Sequence, residues 1–177
     1  MPVRLTPRGT RGSRFFDLPP LLKRVFVAIN LGFYRLFGPR MRIQGRPLLL
    51  LTTTGAKTGK RRQTPLGWFE DDPPRTDAWL VVASAAGAAS HPGWYVNLAR
   101  RPDDASIDVG GEHVAVTPES LEGEDRERAW ARIVALAPGY GQYAVTTDRE
   151  IPVVRLTRRL GENRRPGASR ADGSTPT

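Results

Sequence analysis

An apolar run, a glycine-bounded basic loop and a second strand-like segment follow one another at residues 48–69. This succession constrains the fold more than any other stretch. Residues 48–51 are all leucine, residues 55–62 hold two glycines and four basic side chains, and residues 63–69 resemble a strand. Glycine lets the backbone turn so that successive N–H groups point one way, and such a nest binds anions. The segment therefore predicts two strands joined by an anion-binding turn.

The loop differs from the phosphate-binding loop of nucleoside-triphosphatases. That loop follows the pattern Gly-x-x-x-x-Gly-Lys-Ser/Thr and opens a helix. Here Gly55 and Gly59 are closer together, Arg61 replaces the magnesium-binding hydroxyl, and Pro65 disfavours a helix. The loop is thus predicted to hold a phosphate without triphosphate chemistry. The alternative is a basic hairpin turn that faces solvent.

Composition removes several classes of chemistry. The 177 residues include no cysteine, which excludes disulfides, thiolate catalysis and cysteine-bound metals, and only two histidines, so no metal site is predicted. No apolar stretch is long enough to span a bilayer, and the N-terminus lacks a signal-peptide pattern. A cytoplasmic protein is expected.

Positive charge is concentrated at the N-terminal end. Residues 1–46 hold ten Lys and Arg against one acid, a net charge of +9, whereas the remaining residues hold seventeen of each sign. This predicts a basic appendage rather than a basic groove, so nucleic acid is not an expected partner. Residues 1–14 should be a disordered tail. Residues 19–37 predict an amphipathic helix that covers the core or, through residues 1–37, also touches an anionic membrane surface.

The remaining pattern predicts an α+β fold around a small antiparallel barrel with flanking helices. It consists of strands at 47–54, 63–70, 78–84, 107–109, 114–116 and 151–156, with helices at 91–100 and 123–136. One domain is expected over residues 15–160, followed by a disordered tail at 161–177.

Several motifs in a fixed order resemble one family. They are the run 48–66, Ala83-Ser84 with its small-residue loop, the segment 91–98 containing Pro-Gly-Trp-Tyr-Val-Asn-Leu, Pro138-Gly139-Tyr140 and Ile151-Pro152-Val153. Over about residues 20–157 the chain resembles the deazaflavin (F-420)-dependent nitroreductase and quinone reductase family. The resemblance implies a split β-barrel that uses reduced coenzyme F-420 to transfer hydride to quinones, nitro compounds or other electron-poor acceptors. The cofactor does this chemistry, so no metal or protein nucleophile is needed.

The resemblance also implies which residues hold the cofactor. Its phosphate end would lie at the basic loop, on Ala56, Lys57, Thr58, Gly59 and Arg62. Its ring would be bordered by Thr64, Pro65, Ser84 and Ala85, while Trp94 and Asn97 would shape the pocket. For Trp94, packing in the core is an equal alternative.

Tyr140 and Tyr143 share a helical face because they are three residues apart. The resemblance implies that they line the substrate pocket, and with Ser84 they are the candidate catalytic residues, since a hydroxyl can donate to a quinone or nitro oxygen that gains negative charge. The alternative is that both tyrosines are ordinary packing residues.

The chain departs from the family pattern at several positions. Ala56 stands in place of a usual arginine, Ala85-Ala86 replaces a pair of Lys or Asn followed by Gly, and Gly67 and Ala137 replace tyrosines. A wider, less aromatic substrate pocket is expected. Two other functions stay open: an FMN-dependent oxidoreductase on the same barrel, and a non-catalytic protein that binds a deazaflavin or a lipid.

Overall fold

Antiparallel strands form the framework of the protein. The computed structural model describes residues 2–13, 42–43, 45–71 and 76–159. The strands in these ranges are β1 Arg42–Ile43, β2 Arg46–Thr54, β3 Arg61–Glu70, β4 Ala78–Val82, β5 Ser106–Val109, β6 Glu112–Ser120 and β7 Val153–Arg158. Their order is β1-β2-β3-β4-β7-β6-β5, and β5 also pairs with β2. Strands β2 to β7 therefore close a six-stranded barrel, and the predicted α+β barrel is confirmed.

Helices accompany the barrel. They are α1 Gly93–Arg100, α2 Gly123–Leu136 and α3 Gly139–Thr146, with short 3-10 turns at Ala85–Gly87 and Pro102–Asp104. The helices predicted at 91–100 and 123–136 are present. The predicted helix at 19–37 and the tail at 161–177 lie outside the described residues. Among the helices that the structure describes, none has the length and apolar character of a membrane span.

The barrel interior is a packed apolar core. Trp79 and Val81 of β4 point inward, as the two-residue period of a strand requires, and α1 adds Tyr95 and Leu98, which have no exposed surface. Burying one large apolar side chain contributes roughly 1.5–3 kcal/mol. The interior is therefore a source of stability and holds side chains instead of a ligand.

A second core lies outside the barrel. The alternate residues Leu80 and Val82 of β4 and Val153 of β7 pack against Ile133 of α2. Strand β4 is consequently buried on both faces, which explains its uninterrupted apolar sequence.

The barrel wall is split along one edge of β3. Strand β3 pairs with β2 from Arg61 to Gly67, but with β4 only from Trp68 to Glu70. If the pairing between β3 and β4 continued beyond Trp68, the residues that follow β4 would lie opposite Pro65. The split therefore lies between residues 62–67 of β3 and the loop that follows β4.

An ionic cluster joins β7 to its neighbours. Arg155 donates two hydrogen bonds to Asp71, at 2.6 and 3.1 Å, and one to Glu119 at 2.7 Å. The side chains of Asp71 and Arg155 are only 3% and 16% exposed. Burial lowers the pKa of Arg155, but hydrogen bonds to the two carboxylates outweigh it and raise that pKa above its ordinary value. The cluster fixes the end of β3 to β7 and β6.

Residues 2–13 carry neither helix nor strand, yet they lie against the barrel. Ser13 N–H donates to the Gly87 carbonyl at 2.8 Å, and the Asp148 carboxylate accepts from Thr10 N–H at 2.9 Å. Gly12 is needed because a Cβ there would lie 2.2 Å from the backbone nitrogen of Ala89. This differs from the disordered tail predicted for residues 1–14. The partners lie 74 to 138 positions away, beyond the reach of local composition.

Candidate functional site

The basic loop between β2 and β3 is closed by its own backbone. The Gly55 carbonyl accepts from Thr58 N–H at 3.2 Å and from Gly59 N–H at 2.8 Å, while Gly55 N–H donates to the Lys60 carbonyl at 2.9 Å. Gly59 has φ +65°, and a Cβ on Gly55 would lie 2.8 Å from Thr58 Oγ1. Gly59 therefore suits the left-handed backbone of this turn, and Gly55 leaves room for the Thr58 hydroxyl.

The expectation of a backbone nest is wrong for most of this loop. The amides of Gly55, Thr58 and Gly59 donate within the loop, and Ala56 N–H donates to Asn97 Oδ1 at 3.0 Å. The loop instead offers an anion its exposed side chains, Lys57, Thr58, Lys60, Arg61 and Arg62. Cationic side chains bind phosphate through charge-assisted hydrogen bonds, which are stronger than neutral ones.

Helix α1 holds the basic loop between β2 and β3 through Asn97. Asn97, 8% exposed, receives the Ala56 amide and donates Nδ2 to Thr53 Oγ1 at 3.0 Å. Trp94 is 7% exposed and packs edge-on against Tyr95 in the interior core. Asn97 thus holds the loop in place. Trp94 packs in the core, which was the alternative to its predicted role in shaping the pocket.

The small-residue loop after β4 has an unusual backbone. Ala85, Ala86 and Gly87 have φ of 47°, 49° and 74°. A left-handed conformation costs a residue with a Cβ about 1–2 kcal/mol. Such strain persists only where surrounding contacts impose it, and it concentrates at functional sites. The two alanines replace the glycine-containing pattern that the family resemblance led us to expect.

Arg149 holds the backbone on both sides of this turn. It is 6% exposed, and its guanidinium donates to the carbonyls of Ala83 at 3.0 Å, Ser84 at 2.7 Å and Ala88 at 2.8 Å. Burial lowers the pKa of Arg149. Within the described ranges it pairs with carbonyl oxygens rather than with a carboxylate, so a positive charge lies beneath the loop. The sequence contained no local signal for this residue.

His91 connects Arg149 to the N-terminal segment. Its Nε2 lies 2.9 Å from the Thr6 carbonyl, and Arg149 Nη1 lies 3.3 Å from its Nδ1. This arrangement suits the neutral ring with its proton on Nε2. Burial lowers the pKa of His91, and the charge of Arg149 lowers it further, against a raising effect of the Thr6 hydrogen bond.

We expect Ala85→Gly to stabilise the protein. Glycine removes the left-handed strain, and the gain in the free energy of unfolding should be about 1 kcal/mol after the greater freedom of the unfolded chain is subtracted. Ala88, at φ −67°, is the matched control, because Ala88→Gly relieves no strain and should destabilise. Urea unfolding of both variants measures the difference. Destabilisation by Ala85→Gly would show that the loop is not strained.

Helix α3 brings both candidate tyrosines to this loop. Tyr140 and Tyr143 stack edge-on with ring centres 5.7 Å apart, and Tyr140 makes a similar contact with Phe69 of β3. A Cβ on Gly87 would lie 3.2 Å from the Tyr143 carbonyl oxygen, so α3 packs directly on the strained turn. The helix carries no charged residue. Its tyrosines are partly buried, on one face, beside the split.

The predicted site residues fall into three groups. Lys57, Thr58, Gly59 and Arg62 lie at the loop end of β3, with Ala56 tied to Asn97. Thr64 and Pro65 lie on the split edge, near the end of β4 that leads to Ser84 and Ala85. Tyr140 and Tyr143 approach from α3. Tyr140 and Tyr143 pack against the core outside the barrel, whereas Trp94 belongs to the interior.

Known proteins resemble this chain over most of its length. A family model for F420H(2)-dependent quinone reductase matches residues 28–158. An F420H(2)-dependent quinone reductase of Mycobacterium tuberculosis (strain H37Rv) is 43% identical over 122 residues, which are 67% of this chain and 78% of that protein.

Solved structures are also similar. A structure of an F420-H2 dependent reductase (FDR-A) is 40% identical, with a TM-score of 0.54, over 63% of this chain and 94% of its own. A second structure, a domain-swapped dimer, is 35% identical with a TM-score of 0.55, over 72% of this chain and 96% of its own.

Proposed function

Because the chain belongs to the F420H(2)-dependent quinone reductase family, and is therefore an F-420-dependent reductase, we propose that it reduces quinones at the split in its barrel wall. The cofactor is coenzyme F-420, and the family favours it over FMN and over a non-catalytic role. What we propose beyond the family and the cofactor is the identity of the site residues and of the electron acceptor. The observation that carries them is the placement of an exposed cationic loop and an uncharged tyrosine helix beside the same strand edge.

The residues at the split fit the chemical parts of F-420. Lys57, Thr58 and Arg62 are exposed, so they can meet a phosphate and the carboxylates of an oligoglutamate tail. Small side chains at Ser84 and Ala85 leave room for a flat ring against Thr64 and Pro65. The buried charge of Arg149 beneath this loop favours negative charge on a bound ring.

The tyrosines of α3 are suited to the acceptor. When bound, reduced F-420 supplies the hydride. The acceptor oxygen then gains negative charge, and hydroxyl donors fixed in advance stabilise that charge more than they stabilise the neutral substrate. We assign this role to Tyr140 and Tyr143, together with Ser84. A nitro group could be bound in the same way, since its oxygen also gains charge.

We predict tight binding of F-420 that depends on the basic loop. Titration should give micromolar or better affinity for F-420 and much weaker binding of FMN and NADPH. Lys57→Ala and Arg62→Ala should each weaken F-420 binding by roughly 1–3 kcal/mol, the value of a charge-assisted hydrogen bond. The loss should shrink for a cofactor fragment that lacks the phosphate. Arg128→Ala, which removes an exposed charge on α2, is the control and should bind normally.

Two results would contradict this assignment. Wild-type affinity in both loop variants would make the loop a solvated turn. FMN affinity equal to that for F-420 would contradict the choice of cofactor. Turnover of a naphthoquinone and of a nitroaromatic with reduced F-420 then compares the two acceptor classes.

We further propose that the enzyme works in the cytoplasm, at the inner face of the membrane where quinones are available. The support is the net charge of +9 within residues 1–46. Binding to anionic vesicles should weaken as salt rises, because exposed charges are screened over about 10 Å at 0.1 M ionic strength.

Replacing arginines of the N-terminal segment by glutamine tests the membrane proposal better than deleting the segment does. Deleting residues 1–14 would also remove the contacts to Gly87 and Ala89 beside the cofactor site. We therefore expect the double variant Arg4→Gln, Arg8→Gln to bind anionic vesicles less, with F-420 binding unchanged. The pair Arg101→Gln, Arg128→Gln removes the same charge elsewhere and is the control. Equal sedimentation with neutral and anionic vesicles would contradict the proposal.

A further inference from the structure

The guanidinium of Arg46 packs against two aromatic rings beside the candidate acceptor site. Its Cζ lies 5.0 Å from the centre of the Phe69 ring and 4.9 Å from that of Tyr140. Its Nη1 also donates a hydrogen bond to the Tyr140 hydroxyl oxygen at 2.7 Å. Stacking and hydrogen bonding together fix the ring and the hydroxyl of Tyr140.

Gly67 of β3 lies directly beside the guanidinium of Arg46. A Cβ on Gly67 would lie 3.6 Å from Arg46 Nη1 and 3.7 Å from its Cζ. The guanidinium thus covers the outer face of β3 at the position where a larger side chain would project.

The hydrogen bond sets the direction in which Tyr140 can donate. Arginine has only donors, so the hydroxyl of Tyr140 accepts from Arg46 and must direct its own proton elsewhere. Within the described residues, that proton has no protein acceptor in hydrogen-bond contact. A hydroxyl that accepts from a cation is polarised and becomes a stronger donor.

We propose that Arg46 is a positioning residue that directs and strengthens the Tyr140 hydroxyl as a donor to the acceptor oxygen. The inference rests on the proposed function. In that step the quinone gains two electrons and one hydrogen as hydride from reduced F-420, and its oxygen takes a proton from water. The oxidised cofactor returns one proton to water, and Tyr140 lends a hydrogen bond without net proton loss.

A double-mutant cycle with Tyr140 tests the proposal. Arg46→Met removes the donor and keeps an apolar stem of similar length. With reduced F-420 and 2-methyl-1,4-naphthoquinone, it should lower kcat about tenfold and change KM less than about twofold, because the affected interaction forms in the transition state. In a Tyr140→Phe background the same change should have no further effect on kcat. Arg46→Lys, which keeps a cationic donor, should recover part of the loss.

A second readout does not depend on turnover. Fluorescence titration with oxidised F-420 should give the wild-type dissociation constant for Arg46→Met and Arg46→Lys. Arg126 is the matched control, because it stacks on Trp130 of α2, away from the site. Arg126→Met should leave kcat unchanged.

The outcomes separate this inference from the proposed function. If Arg46→Met lowers kcat by the same factor with and without the Tyr140 hydroxyl, or not at all, the positioning role is overturned. Should Arg46→Met fail to fold, the same cycle with Arg46→Lys decides, and an equal loss in both backgrounds again overturns the role. If Tyr140→Phe alone leaves kcat unchanged, Tyr140 is not the donor and the positioning role of Arg46 is overturned with it. If wild type does not turn over, the proposed function itself has failed.

Discussion

Replacement of Tyr140 by phenylalanine is expected to lower kcat for quinone reduction about a hundredfold, the usual cost of one donor to a developing oxyanion. Affinity for F-420 should stay within about twofold of wild type, because Tyr140 approaches the split from α3 and not from the phosphate-binding loop. The ring contacts with Phe69 and Tyr143 are kept in this variant. Steady-state kinetics and F-420 titration on one preparation measure both quantities.

Tyr95→Phe is the matched control for this experiment. It also removes one tyrosine hydroxyl, which here donates to the Arg4 carbonyl, but Tyr95 is fully buried in the barrel interior. Its loss should reduce stability by about 1 kcal/mol with little change in kcat. Unchanged kinetics in Tyr140→Phe would reassign Tyr140 to packing between α3 and β3.

Replacement of Arg155 by methionine is expected to destabilise the fold by about 3 kcal/mol, since removing one partner from a buried ion pair is strongly unfavourable. The change takes three hydrogen bonds from Asp71 and Glu119, and the Asp71 side chain is almost fully buried. Urea unfolding at pH 7 gives the free energy. The midpoint should fall without a change in the slope.

Arg158, on the same strand, offers a close comparison. It too donates two hydrogen bonds to a carboxylate, Glu112, at 2.7 and 2.9 Å, but that pair is exposed. Exposed pairs contribute roughly 0–1 kcal/mol, so Arg158→Met should have a small effect. Equal losses in the two variants would show that burial does not set the cost of breaking these pairs.

The fold was predictable because its signals are local. Leucine runs, glycine turns and the hairpin around Gly110-Gly111 occur within short windows, and these define the strands of the barrel. The tyrosine pair of α3 could be recognised for the same reason, because residues three apart on a helix share a face.

The parts that were missed depend on distant partners. Composition predicts disorder for the segment containing Thr10 and Ser13, whereas Asp148 and the Gly87 carbonyl hold it to the barrel. Arg149 lies in an ordinary polar stretch, and only the fold brings it under Ser84. The positive φ of Ala85 and Ala86 could not be predicted, because a positive φ is normally recognised by a glycine at that position. Here tertiary contacts override the preference of alanine for a negative φ. The Ala56 amide was wrongly expected to bind an anion because its acceptor, Asn97, is far away in sequence, whereas the amides of Thr58 and Gly59 are taken up by the Gly55 carbonyl inside the loop itself.

Because side chains already fill the barrel interior, the protein should fold without its cofactor. Since α1 already occupies the centre with Tyr95 and Leu98, we expect the ring of F-420 to dock on the outer wall and to complete no part of the interior core. The apoprotein should therefore be native when purified, and the ligand should raise the melting temperature only through mass action, rising with the logarithm of its concentration. Such a protein can exchange its redox carrier between turnovers without unfolding, so F-420 can behave as a diffusible co-substrate instead of a prosthetic group.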